Sequence, residues 1–371
     1  MGLLDYYRKF DDIPQEEINR GLRKRHAEAK ARALAEVPIV DLSSTEWPDF
    51  PNAEVMNAAI FAARGNVNGY PDPRASEVRK MLSDRHAVPV EQIVVGNGST
   101  ELMQSAIDRL LAGGGELLIP WPSYPPYPVM ARRAGGRPIP IPLAAGRADV
   151  ATLPDEVNEQ TRALVLCNPN DPTGAYLEAD AIGDLIGRIP DRVHVLIDEA
   201  YIEFQDVEQR DSVLRLVDAF ANLTVFRTFS KIYGLSGMRA GYAISSAHNV
   251  SLLEAIGPLM GVNALTQAGV LHALKIGDPE IERRRALVAG QRSRLLAALN
   301  DLPVDAPDTQ ANFAWLQAAG LTGPELTARL ERGGVIVAPG GPLGDDDHVR
   351  VSIRGAAATE RLLGALESCF A

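Results

Sequence analysis

LTVFRTFSKIYGLSGMRAGY, residues 223–242, carries two signals at once. LTVFRT is a nearly continuous run of β-branched and aromatic residues, the texture of a strand covered on both faces. Behind it come Lys231, then Gly234, Gly237 and Gly241 around a turn that holds Arg239. GYAIS (241–245) reads as another strand.

The same texture recurs upstream. IVVGN (93–97), ELLIP (116–120), RPIPIPL (137–143), RALVLC (162–167) and VHVLID (193–198) are short apolar runs, read as strands buried on both faces. Between the first two, Leu102, Met103, Ala106, Ile107, Leu110 and Leu111 fall on one face of a helix beginning near Glu101. Strands alternating with helices predict an α/β fold with a mostly parallel central sheet. After about residue 256 the pattern changes. A helix over 278–299, strands at FAWLQ, GVIVAPG and HVRVSIR, and an amphipathic helix from about Ala358 predict a smaller α+β domain. Near the start, Pro14 and the pairs Glu16–Arg20 and Glu28–Arg32 predict a charged helix over 14–36. The expected division is an N-terminal arm (1–45), a large domain (46–255) and a small C-terminal domain (256–371).

Composition narrows the class. Of 371 residues 46% are hydrophobic and 23% charged, as in a globular protein, and the net charge of −11 disfavours nucleic acid as a partner. Two cysteines make no disulfide framework, so a cytoplasmic setting is expected. MGLLDYYRKFDD lacks the apolar core of a signal peptide, and no run is long enough to span a bilayer.

Five stations fall in loops behind expected strands, where open α/β sheets bind ligands. GNGST (96–100) combines Gly98 with the hydroxyls of Ser99 and Thr100 at a helix start, an anion cup. PSYPPY (122–127) offers Tyr124 as a flat ring. CNPNDPTG (167–174) is a rigid turn presenting Asn170 and Asp171. In VLIDEAY, Asp198 ends an apolar strand, where a carboxylate needs a cation or serves as a helix N-cap. In RTFSK, Thr228 and Ser230 flank Lys231, an amine that forms Schiff bases once its pKa is lowered. Together these demand a ligand with an anionic group for Ser99, Thr100 and Arg239, a flat ring, a basic nitrogen for Asp198 and an aldehyde for Lys231. Pyridoxal 5′-phosphate has all four. No metal is expected. Asp198 keeps the ring nitrogen protonated. Lys231 holds the aldehyde as a Schiff base and, when freed, moves a proton at the substrate α-carbon.

GNGST, PSY, NPNDPTG, DEAY, RTFSK and GMRAGY resemble in order and wording the class I/II pyridoxal-phosphate aminotransferases of fold type I, particularly the histidinol-phosphate aminotransferase branch. The resemblance implies an amino donor, a 2-oxo acid acceptor, a ping-pong mechanism and a homodimer with its sites at the subunit interface. It implies that Tyr201 bonds the cofactor's 3′ oxygen, that Ser230 and Arg239 hold the phosphate, and that Tyr70 reaches the neighbouring subunit's phosphate. Asn312 and Arg350 match substrate-side positions, Arg350 as a carboxylate clamp.

This chain departs from that pattern at Asp171, where the family has asparagine, at Ala338, where it has arginine, and at Arg354, where glycine is common. A Pro-Tyr element that helps hold a substrate phosphate is also missing. An ionised Asp171 favours the protonated Schiff base; the other reading has it protonated, or turned away with Asn170 in its place. Arg354 either adds a second cation to the substrate site or meets the partner or solvent. The expected substrate is a carboxylate-bearing amino acid. Histidinol phosphate, and a decarboxylase or lyase reaction on the same scaffold, are the alternatives.

Overall fold

The computed structural model describes residues 39–370, so the charged helix expected over 14–36 lies outside it. In chain order its strands are β1 (Val40–Asp41), β2 (Ile93–Gly96), β3 (Glu116–Trp121), β4 (Arg137–Pro142), β5 (Thr161–Cys167), β6 (His194–Asp198), β7 (Leu223–Thr228), β8 (Gly241–Ser245), β9 (Val304–Asp305), β10 (Phe313–Ala318), β11 (Val335–Ile336), β12 (Ala338–Pro339) and β13 (His348–Ser352).

Seven strands form one sheet in the order β2-β8-β7-β6-β5-β3-β4. The pairs β4–β3, β3–β5, β5–β6 and β6–β7 are parallel; β8 pairs antiparallel with both β7 and β2. Every residue of β6, β7 and β8 is buried, as continuous apolar runs require. The expectation of two covered faces fails at β4. It is the edge strand and is half exposed along its length. Its prolines at 138, 140 and 142 place the missing N–H groups along one side, which only an edge tolerates.

The direction of the strands builds the site. β2, β3, β5, β6 and β7 all end at one rim, and β8, running the other way, begins there. Register fixes this: Cys167 lies opposite Asp198, Asp198 opposite Phe226, and Gly241 between Gly96 and Thr228. All five sequence stations therefore meet at one end of the sheet.

A second, antiparallel sheet has the order β12-β13-β10-β9. Its core contains Phe313, Leu316, Val349 and Val351, with Leu326 and Leu330 from the helix Gly323–Arg332. The segment after β1 joins this unit, although it falls within the arm of the sequence reading. Val40 pairs with Val335, and the amide of Ser352 donates to the Leu42 carbonyl at 2.8 Å. This contact carries residues 43–46 across to the rim of the large sheet.

Candidate active site

At the rim lies a cavity of about 230 Å³. Ser99, Thr100, Tyr124, Asp171 and Asp198 line it on one side, and Tyr201, Thr228, Ser230, Lys231 and Arg239 on the other. A larger hollow of about 520 Å³ around Arg147, Tyr176 and Gln310 has no lysine. Chemistry, not size, marks the site.

Lys231 leaves the turn after β7, and its Nζ donates to Thr45 Oγ1 at 2.6 Å. It stands 4.8 Å over the centre of the Tyr201 ring. Burial lowers its pKa, aided by the Arg350 charge and opposed by Asp171 and Asp198. A lysine amine at a site rim that favours the neutral form is a nucleophile in waiting.

Asp198 closes β6. Tyr127 Oη donates to its Oδ2 at 2.8 Å and the Ala200 amide to its Oδ1 at 3.1 Å. Burial pushes the carboxyl up to about 6, with those two donors and Lys231 pulling against the rise. Asp198 is thus no helix N-cap; it is a buried acid facing the cavity.

The Gly98 φ of +97° opens the helix Ser99–Leu110, and its amide end faces the cavity. A side chain here would be excluded twice over. A Cβ at Gly98 would sit 2.5 Å from Arg239 Nη2, and one at Gly241 would sit 2.3 Å from the Ser99 nitrogen. Arg239 is held by its own bond to the Ser236 carbonyl at 2.9 Å. Thr228 Oγ1 donates to Ser230 Oγ at 2.9 Å. Helix amides, the hydroxyls of Ser99, Thr100, Thr228 and Ser230, and a guanidinium thus line the cavity, a cradle for a phosphate dianion.

The turn after β5 separates fastening from function. Asn168 accepts from the Leu177 amide at 2.7 Å and donates to its carbonyl at 2.9 Å. Asn170, expected beside the cofactor, is instead a fastener. Its Nδ2 donates to the Pro122 carbonyl at 3.1 Å and to Thr173 Oγ1 at 3.0 Å, and its Oδ1 accepts from Ser123 at 2.8 Å. Asp171 is the residue turned to the cavity. Tyr201 Oη donates to its Oδ2 at 2.9 Å and Arg350 Nη1 to its Oδ1 at 2.5 Å.

Four other expected residues stand off the cavity lining. Asn312 Nδ2 donates to the Thr45 carbonyl at 3.1 Å, so it supports the lysine's partner. Arg350 reaches the site through Asp171. Arg354 Nη2 contacts the Ser44 carbonyl at 3.5 Å. Tyr70, expected at the neighbouring subunit's phosphate, is 89% exposed on the surface of this chain. Two residues escaped sequence reasoning. Tyr127 shares PSYPPY with Tyr124 and meets it edge-on at 5.3 Å, but only its bond to Asp198 reveals its role. Thr45 has no local signal at all.

A lysine, a buried acid opposite it and a phosphate cradle on one sheet rim define a pyridoxal-phosphate site. The sequence profile of the aminotransferase class I and II family matches residues 37–366. The chain belongs to that family and is a PLP-dependent transaminase. Among its relatives, the aromatic amino acid aminotransferase of Corynebacterium jeikeium strain K411 is 36% identical over 318 residues, 84% of each chain. In fold it matches the histidinol-phosphate aminotransferase from Sinorhizobium meliloti in complex with pyridoxal-5′-phosphate. That match has a TM-score of 0.80 at 24% identity, covering 92% of this chain and 93% of the other. A double mutant of Thermus thermophilus aspartate aminotransferase matches equally, with a TM-score of 0.80 at 23% identity, covering 93% and 96%.

Proposed function

We propose that this transaminase acts on carboxylate-bearing amino acids, aromatic ones among them, with a 2-oxo acid as acceptor and a ping-pong course. The observation that carries this reading is the convergence of Lys231, Asp198 and the Ser99–Arg239 cradle in one cavity. Bound there, pyridoxal phosphate supplies an aldehyde carbon and an electron-accepting ring. Lys231 is the attachment point and the amine that moves the proton at the substrate α-carbon. Asp198, steadied by Tyr127, keeps a proton on the ring nitrogen. Tyr201 orients the 3′ oxygen, and Ser99, Thr100, Ser230 and Arg239 hold the phosphate.

Arg350 receives the substrate carboxylate. Its cross-strand neighbour on β12 is Ala338, so no second arginine stands beside it there for a phosphate-bearing substrate. The names of relatives such as the Corynebacterium jeikeium and Corynebacterium efficiens proteins, aromatic amino acid aminotransferases, favour an aromatic donor.

The large and small units divide near residue 256, and the chain works as a cytoplasmic homodimer. Exposed Phe61, Val67 and Tyr70 supply an apolar face for a second copy. Among the described residues no helix is long and apolar enough to cross a membrane. A panel of amino donors assayed with 2-oxoglutarate tests the substrate reading. A kcat/KM for histidinol phosphate about tenfold above that for every amino acid overturns it.

A further inference from the structure

We propose that Asp171 is a specificity-determining residue: by pairing with Arg350 it cancels much of that arginine's charge, so the site ranks singly charged carboxylates above dianions. The proposal rests on the reading of Arg350 as the substrate's carboxylate partner.

Both Asp171 oxygens are committed, one to Arg350 Nη1 at 2.5 Å and one to Tyr201 Oη at 2.9 Å. The ion pair is secluded, with side chains 11% and 5% exposed for Arg350 and Asp171. Solvent therefore screens it weakly. An asparagine would fill the same space with no charge.

Arg350 keeps one donor unspent beside the cavity. Its Nη2 touches the Ser43 carbonyl at 3.3 Å, and its Nε is buried with no partner. A carboxylate that displaces the long Ser43 contact can take the Nε–Nη2 edge while Asp171 keeps Nη1. The incoming anion then meets a guanidinium that is already paired. Arg354 lies against the next carbonyl, that of Ser44, and its Nε is likewise buried and unpartnered. Asp41, whose carboxyl is held down by Ser43 and also by the Arg354 charge, offsets part of that second cation. Two arginines against two carboxylates leave little net field for a dianion, while one bidentate contact still suits a monoanion.

Charge gives the proposal a signature. The repulsion from Asp171 scales with the charge on the ligand, so its logarithmic effect doubles from monoanion to dianion. Isothermal titration of the holoenzyme with 3-phenylpropionate and with 2-phenylethylphosphonate in its doubly charged form reads this directly. D171N is expected to tighten the carboxylate about tenfold and the phosphonate about a hundredfold. Asp171→Ser, which removes the charge and shortens the side chain, should show the same doubling. Equal factors for the two ligands, no change, or weaker binding of both overturns the proposal. So does loss of the cofactor from both variants, which would assign Asp171 to cofactor retention. The transaminase reading has a separate readout. Wild-type holoenzyme given an amino donor alone must form pyridoxamine phosphate, and failure there leaves the anion ranking to be judged on its own titrations.

Discussion

Replacing Arg227 with methionine should strand a carboxylate beneath the site. Arg227 lies on β7 just before Thr228, and Glu199 follows Asp198 off the end of β6. Arg227 Nε meets Glu199 Oε2 at 2.7 Å, with side chains only 3% and 0% exposed. Its Nη1 reaches Asp211 Oδ1 at 2.6 Å, and its Nη2 donates to the Arg210 carbonyl at 2.7 Å. Burial opposes the Arg227 cation, and Glu199, Tyr242, Asp211 and Glu203 together more than restore it. Methionine keeps the apolar stem and removes only the head. Breaking a buried pair from one side costs about 3–5 kcal/mol. Asp211 adds little, because it is 42% exposed and water compensates it. The loss should depend on pH. Burial pushes Glu199 up to about 7 even against the pull of Arg227, and removing that pull sends it higher. A carboxyl raised above its unfolded value of about 4.3 supports the fold while protonated and loses that support as pH rises through the folded pKa. In the native chain this loss levels off above about 7. In the variant it continues, at about 1.4 kcal/mol per pH unit. Urea unfolding followed by circular dichroism on either side of neutrality reads the difference. Adding Glu199→Leu should recover stability. A loss under about 1 kcal/mol, a difference that does not grow with pH, or a double variant weaker than the single refutes the reasoning.

Three further outcomes are expected. Borohydride reduction of the holoenzyme should fix a pyridoxyl group on the peptide containing Lys231, and Lys231→Ala should abolish turnover; labelling of another peptide contradicts the assignment. Burial holds Asp198 near 6, so cofactor affinity measured by equilibrium dialysis should weaken as pH falls through that value and the carboxyl protonates. Asp198→Asn should bind more weakly at neutral pH and lose that dependence. Thr45→Val deletes a hydroxyl bonded to Lys231 Nζ at 2.6 Å, a change of about 0.5–1.5 kcal/mol, so the proton-transfer step should slow several-fold while Thr45→Ser restores it. An α-deuterated donor shows whether the slowed step is the proton transfer.

What the sequence makes legible follows from burial and spacing. β5, β6 and β7 are covered on both faces, so each announces itself as an unbroken apolar run. β4 gives the same signal for a different reason, because alternating prolines and isoleucines mimic a covered strand while sitting on an edge. The two-residue strands β1, β9, β11 and β12 are too short to carry a period. The stations were readable because each is a local string at a strand end. Tyr127 and Thr45 were not, because their partners lie 71 and 186 residues away. Nothing within a window of ten residues distinguishes a buried tyrosine that holds Asp198 from one that fills the core.

The same distance hides the substrate. Cofactor chemistry is written in contiguous strings because one strand end supplies several groups to one ligand. On the proposed reading, substrate choice depends on residues drawn together from both units. Asp171 and Arg350 are 179 residues apart and meet at 2.5 Å. Arg350 stands between Ala338 and Trp315 across β12, β13 and β10. A change from asparagine to aspartate at 171 is invisible to packing, since the two side chains have nearly the same shape. Its effect is to place a charge against Arg350, the arginine proposed to receive the substrate carboxylate. Because a Coulomb term grows with the ligand's charge while shape complementarity does not, such an exchange alters which anions bind without disturbing the fold or the cofactor cradle. Aminotransferases with matching motifs can therefore differ in substrate through a pair of positions that no motif contains together.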